Sequence, residues 1–199
     1  MTEIKWTPPP PRKGLNGYWD QFIGPGATNT EQLVQLAMGI GLAMLLMVFL
    51  FVQRDTLNWS SIQVVVVVFF AVDLFGGVVT NATAAAKRWY HREGYDSLQG
   101  HLPFIVVHGI HLVVFSAAFR GMDWAFVVVL FGYLLLATFI LSRVPLYLQR
   151  PVGMALYCGG YLLGTYLFVP TVGTEWFVPI FYLKLIVSHL LKEAPFKAV

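Results

Sequence analysis

Apolar residues along this chain come in long runs, and short polar breaks separate them. Six runs stand out, at about 32–53, 60–86, 102–119, 123–142, 151–170 and 174–192. Each has roughly 18–27 residues, enough at about 1.5 Å per residue to cross a hydrocarbon core of about 30 Å. Val64 to Val68 is a β-branched run that a soluble sheet would use as a strand. In a bilayer a helix satisfies its own backbone, so helix is expected there too. Thr28 and Glu31 stand in capping-box spacing and predict a helix start near Asn29. The expected fold is an all-α integral membrane protein with six transmembrane helices over residues 31–193. Residues 1–30 would be a cytosolic or interfacial tail and 194–199 a short C-terminal tail. In the first tail, Pro8 to Pro11 favour an extended segment. Tyr18, Trp19 and Phe22 beside Gly24-Pro25-Gly26 suit the headgroup level.

Composition supports this class. The chain is 57% hydrophobic and 12% charged, with a mean hydropathy of +0.68, which leaves little for a soluble domain. No basic patch with interleaved aromatics points to nucleic acid. Cys158 is the single cysteine, so an internal disulfide and a Cys-rich zinc site are excluded. Residues 1–30 are rich in Pro and Gly and do not read as a signal peptide, so the first run is expected to be retained.

Charge sets the expected orientation. Lys5, Arg12, Lys13, Lys87, Arg88, Arg92, Arg143, Arg150, Lys192 and Lys197 fall in the tails and in alternate loops. Only Arg54 and Arg120 fall in the opposite loops, and Lys184 lies inside the last run. By the positive-inside rule both termini are expected to be cytoplasmic, in a multi-pass inner or plasma membrane protein.

The candidate chemistry lies where polar groups interrupt apolar runs. An ionisable group at membrane depth costs about 2.5–3.5 kcal/mol even on the lenient insertion scale, so each is a functional candidate. By helix rise, Asp73 is about 21 Å and Asn81 about 9 Å from Lys87 along the second run. His108 and His111 are about 10 and 15 Å from His101, and Lys184 is about 12 Å from Lys192. These groups are expected to share the cytoplasmic half of the membrane, with His91, His101 and His189 around its mouth. Asp73, Gly77, Thr80, Ala84, Lys87 and His91 form one helical stripe, and His101, Phe104, His108, His111 and Phe115 another. Pro179, Tyr182, Ile186, His189 and Glu193 form a third, with Lys184 off it.

Asp73, His108, His111 and Asn81 are therefore the catalytic candidates. Low dielectric would favour a neutral Asp73 acid. Lys87, Arg88, His91, Arg92, Lys184, His189 and Tyr182 are the substrate-binding candidates, the basic ones for a polar head group. His108 and His111, three residues apart, could present two nitrogens to a metal ion or one to haem b. Each group also has a structural reading, as packing glue, a topology signal or a snorkelling side chain. Lys184 in the last run resembles the placement of the Schiff-base lysine in microbial rhodopsins. Asp73 in an aromatic-rich chain resembles the intramembrane acids of small membrane-bound terpene cyclases. Neither family's motif lies on these residues.

The expected function is an integral-membrane enzyme acting on a lipid-soluble isoprenoid or acyl substrate by acid–base or metal-assisted chemistry. The alternatives are a haem-b/quinone redox subunit, a proton-coupled transporter and a structural subunit of a membrane complex. A homo-oligomer or a larger membrane complex is the expected assembly.

Overall fold

The computed structural model describes residues 7–193. Lys5, Lys197 and the expected tail 194–199 lie outside the described residues. The chain is 75% helix, with no strand among the described residues. The helices are α1 (Leu15–Ile23), α2 (Asn29–Val52), α3 (Arg54–Leu57), α4 (Ser61–Ala82), α5 (Ala84–Tyr90), α6 (Leu98–Phe119), α7 (Trp124–Arg143), α8 (Leu146–Tyr166) and α9 (Phe177–Tyr182). A π-helix, Leu183–Leu190, continues α9 without a break.

Local sequence sets the helix starts. Thr28 and Glu31 close the expected capping box on α2, and Ser60 with Gln63 closes a second on α4. Ser97 and Asp123 cap α6 and α7 through the amide N–H groups of Gly100 and Phe126. The expected second run is cut at Thr83, whose extended backbone ends α4 while its hydroxyl accepts from Ala86 N and so starts α5.

Four helices, α2, α4, α6 and the Trp124–Leu141 stretch of α7, are long and apolar enough to cross a membrane. The fifth and sixth expected spans do not reach that measure. The fifth forms α8, where Gln149, Arg150 and interspersed Gly and Tyr dilute the hydropathy. The sixth forms a shorter apolar helix, six α-helical residues followed by eight π-helical ones.

That short helix is the centre of the bundle. It packs against α4, α7 and α8, and Phe177, Phe181, Tyr182, Leu185 and Ile186 are fully buried on it. Glycines on α8 let it approach: a Cβ at Gly153, Gly160 or Gly164 would collide with Leu191, Tyr182 or Val178. At the edge, α2 buries only the stripe Gln35, Gly39 and Ala43, and Gly39 meets the backbone of Gly76 on α4. Its other faces carry exposed Leu, Met, Val and Phe, as a lipid-facing helix would.

Cross-contacts fix the chain directions. Gln63 donates to Ala118 O, Asp73 meets His111, and the His91 ring lies against that of His101, so α4 and α6 are antiparallel. Asp73 meets Lys184, and Lys87 in α5 just beyond α4 meets Ser188, so the last helix runs parallel to α4. The segments that begin and end the described chain therefore lie at one end of the bundle, called here the inner end.

Candidate functional site

Three helices deliver the polar group inside the bundle. Asp73 comes from α4, His111 from α6 and Lys184 from the π-helix. Lys184 Nζ donates to Asp73 Oδ2 at 2.6 Å, and His111 Nε2 approaches the same oxygen at 2.9 Å. The lysine side chain is only 4% exposed, whereas the aspartate keeps 32%. An ammonium and an imidazole N–H on one oxygen stabilise the ionised carboxylate, opposing the tendency of an apolar setting to keep it neutral. Oδ1 has no hydrogen-bond partner among the described residues.

Lys184 is carried near the start of the π-helix. π-Helical turns are rare and often occur at functional sites, because the extra residue per turn redirects side chains. Here Lys184, Ser188 and His189 all lie inside the bundle.

His108 stacks on His111, with centroids 4.9 Å apart and planes 11° from parallel. Its Nδ1 donates to Phe104 O at 2.7 Å, which leaves Nε2 as the acceptor. His111 Nδ1 is buried without a partner. Asn81 is also buried, and its Nδ2 has no partner.

A second cluster sits at the inner end. His189 Nε2 lies 3.2 Å from His101 Nδ1. His91 faces His189 O through Nε2 at 3.0 Å and Asp96 Oδ1 through Nδ1 at 3.2 Å. Lys192 pairs with the other oxygen of Asp96. Burial alone would raise the Asp96 carboxyl, but the His91 and Lys192 hydrogen bonds outweigh it and hold the group at about 2. The Phe104 ring separates this cluster from the first, 4.0 Å from His189 on one side and 4.4 Å from His108 on the other.

The structure thus joins Asp73, His108, His111 and Lys184 in one group, and His91, His101 and His189 in another. The other candidates lie elsewhere. Lys87 is not at a lipid-facing rim: it is buried and donates to Ser188 O at 2.7 Å and Leu191 O at 2.6 Å. It caps the carbonyl end of the π-helix, a usual place for a cation. Arg92 stacks over Trp89 and Tyr95, while Arg88 is partly buried. Tyr182 is fully buried and donates to Leu130 O, so it braces α7. Asp96, Lys192 and Phe104 were not among the sequence candidates. Asp96 reads in sequence as an ordinary solvated loop residue, and only its distance to His91 marks it.

The donor sets bear differently on bound groups. Asp73, His108 and His111 can each offer one ligand atom, all within 4.8 Å of one another. The Lys184 ammonium, however, sits on the carboxylate oxygen that His111 also uses, so a divalent cation there would compete with a fixed positive charge. Haem b fits poorly. His108 and His111 are stacked on one helix and His101 and His189 face each other directly, so neither pair brackets a slot for a flat macrocycle.

Compared with known proteins, the chain matches no family model, no curated protein and no solved structure.

Proposed function

We propose that this protein is a membrane-embedded enzyme that moves a proton on a lipid-soluble substrate, with Asp73 as the base. The observation that carries the reading is the ion pair of Asp73 with Lys184, in which the lysine is sealed inside and the carboxylate is a third exposed. Phe69 and Val72 on α4 and Val107 and Ile110 on α6 flank the pair in sequence and are exposed. A substrate dissolved in the bilayer would reach Asp73 along the α4–α6 seam, without crossing water.

In this reading Asp73 Oδ1 accepts the proton. Lys184 and His111 hold Oδ2 and balance its charge, and the stacked His108 fixes the plane of His111. Such a site favours isomerisation or hydrolysis of an isoprenoid or acyl compound over protonation of an alkene, because Asp73 is set up as a base. α8 and the short last helix would complete six membrane-crossing segments, with the basic inner end in the cytoplasm.

Photolabelling tests the access route. Protein in lipid nanodiscs is treated with a diazirine-bearing polyprenol and a diazirine-bearing fatty acid. Labels should concentrate on peptides spanning Phe69 to Asp73 and Val107 to His111. Labels spread evenly over α2 and α7 would overturn the seam. Turnover of polyprenyl and fatty-acyl esters, read by mass spectrometry, should fall by about a hundredfold or more in Asp73→Asn. Undiminished turnover in that variant would remove Asp73 from the chemistry.

A second reading, proton-linked transport, is favoured by the way Asp73 is shared between Lys184 and His111. Proteoliposomes with an internal pH-sensitive dye distinguish it: substrate-dependent acidification supports transport.

A further inference from the structure

We propose that His91, Asp96 and His101 form a divalent transition-metal site at the inner end of the bundle, with Zn2+ as the ion its donors suit best. The proposal is independent of the chemistry assigned to Asp73. One donor atom from each of the three residues lies within 4.8 Å of the others.

The tautomer of His91 is the main argument. Its Nε2 lies 3.0 Å from a carbonyl oxygen, that of His189, which can only accept, so Nε2 carries a proton. In the neutral ring Nδ1 then presents a lone pair. That lone pair is aimed at another acceptor, the Asp96 carboxylate, 3.2 Å away. Two acceptors at this distance repel unless a cation lies between them: either a second proton on His91 or a metal ion bound by both.

The surroundings favour the metal. Zn–N and Zn–O bonds of about 2.0–2.1 Å give a tetrahedron with edges of about 3.3 Å. The His91–Asp96 separation of 3.2 Å matches such an edge. The supporting contacts are also built. His91 donates its distal N–H to a backbone carbonyl, the usual device that orients a ligating imidazole. Asp96 gives its second oxygen to Lys192, leaving Oδ1 for the ion. His91 and His101 are buried, at 2% and 8% exposure, so the imidazole side of a bound ion would be shielded, while exposed Asp96 leaves a side open for the ion to enter. His189 Nε2 lies 3.2 Å from His101 Nδ1 and backs that ring from the bundle side. Lys87 and Lys192 are the nearby cations; each is already engaged, by helix carbonyls and by Asp96 respectively.

A nitrogen- and oxygen-only set of this kind suits Zn2+ better than Ca2+ or Mg2+, which prefer all-oxygen shells. The lone thiol, Cys158, is on α8 and outside the cluster.

The test is zinc binding by the full chain in detergent, stripped with chelator and reloaded with ZnCl2. Elemental analysis after gel filtration should give one zinc per chain, and X-ray absorption should show nitrogen and oxygen ligands without sulfur. Asp96→Asn keeps an oxygen facing His91 and should fold, yet should weaken zinc at least about tenfold. His101→Ala should lose it, while His108→Ala and His111→Ala should keep it. Wild-type protein that takes up no stoichiometric zinc, with His91 doubly protonated by NMR, would make the cation a proton and overturn the site. So would zinc retained at full affinity in Asp96→Asn and His101→Ala, or lost only in the His108 and His111 variants.

Discussion

Gly77 and Lys184 occupy one space between them. A Cβ built on Gly77 would stand 2.3 Å from Lys184 Cε and 2.7 Å from its Cδ. The missing side chain on α4 is thus where the lysine stem runs on its way to Asp73, one turn earlier on the same helix. Gly77→Ala should raise the intrinsic helix propensity of α4 by up to about 1 kcal/mol, and on that ground alone it should stabilise the protein. The structure predicts the reverse: the methyl group forces Lys184 off its path and breaks its bond to Asp73. Thermal unfolding in detergent decides, and an unchanged or raised midpoint would contradict this packing.

The Asp73–Lys184 pair should show strong non-additivity. Removing one partner leaves an uncompensated buried charge, at a cost of about 3–5 kcal/mol. Asp73→Asn strands the sealed-in Lys184 ammonium and should therefore destabilise the protein markedly, and Lys184→Met less so, because the carboxylate it leaves is a third exposed and still bonded to His111. The double variant leaves no charge behind and should lose much less than the sum. A double-mutant cycle by denaturant unfolding measures the coupling. Additive effects would mean that the two groups are bound to other partners in the folded protein.

Much of this could be read in the sequence, because membrane helices announce themselves by length and hydropathy. The capping box at Thr28 and the depths of Asp73, His108 and Lys184 follow from helix arithmetic. Asp73 and His111 lie on the expected stripes. Lys184 does not: on an α-helix it falls off the face shared by Tyr182 and His189. In the structure it faces α4 while Tyr182 faces α7, so the two meet different neighbours of a helix buried on all sides, and spacing alone does not say which neighbour each face meets. Lys87 has partners that the sequence does not show. A basic residue just past a membrane run is usually a topology signal, and here, after the break at Thr83, its ammonium also reaches the carbonyls of Ser188 and Leu191. Asp96 acquires a role through a local contact with His91, five residues back, and one made across the fold with Lys192, ninety-six residues along.

Asp96 should give the metal-free protein an acid limb of predictable sign. In the folded chain its carboxyl is lowered from the ordinary 3.8 to about 2, by hydrogen bonds from His91 and Lys192 that overcome burial. The folded state therefore binds fewer protons than the unfolded state between these values. The stabilisation is complete above about pH 4 and is lost as pH falls through 2. The side chain is a third exposed, so solvent screening keeps the effect modest. Unfolding midpoints from pH 5 to pH 2, with chelator present, should fall more steeply for wild type than for Asp96→Asn. Parallel curves would mean that the His91 and Lys192 contacts contribute nothing to folding.

Lys87 gives a slope of the same sign at the alkaline end, from a group whose charged form burial disfavours. Burial is the main cause that brings its amine down from 10.5 to about 8, with nearby Glu193 opposing and Arg150 assisting. A neutral amine still has two N–H bonds, enough for the carbonyls of Ser188 and Leu191. Between the two values the folded state holds the proton less tightly than the unfolded chain does. Stability should accordingly rise as pH goes from 8 towards 10.5. Lys87→Met should abolish that rise. It should also leave two buried carbonyls unpaired at the end of the π-helix, at about 1–3 kcal/mol each. Hydrogen exchange should then speed up first in Leu183–Leu190, and because Lys184 rides on that segment, its bond to Asp73 should loosen with it. A variant that keeps wild-type exchange in this helix would show that the carbonyl end is held by other groups.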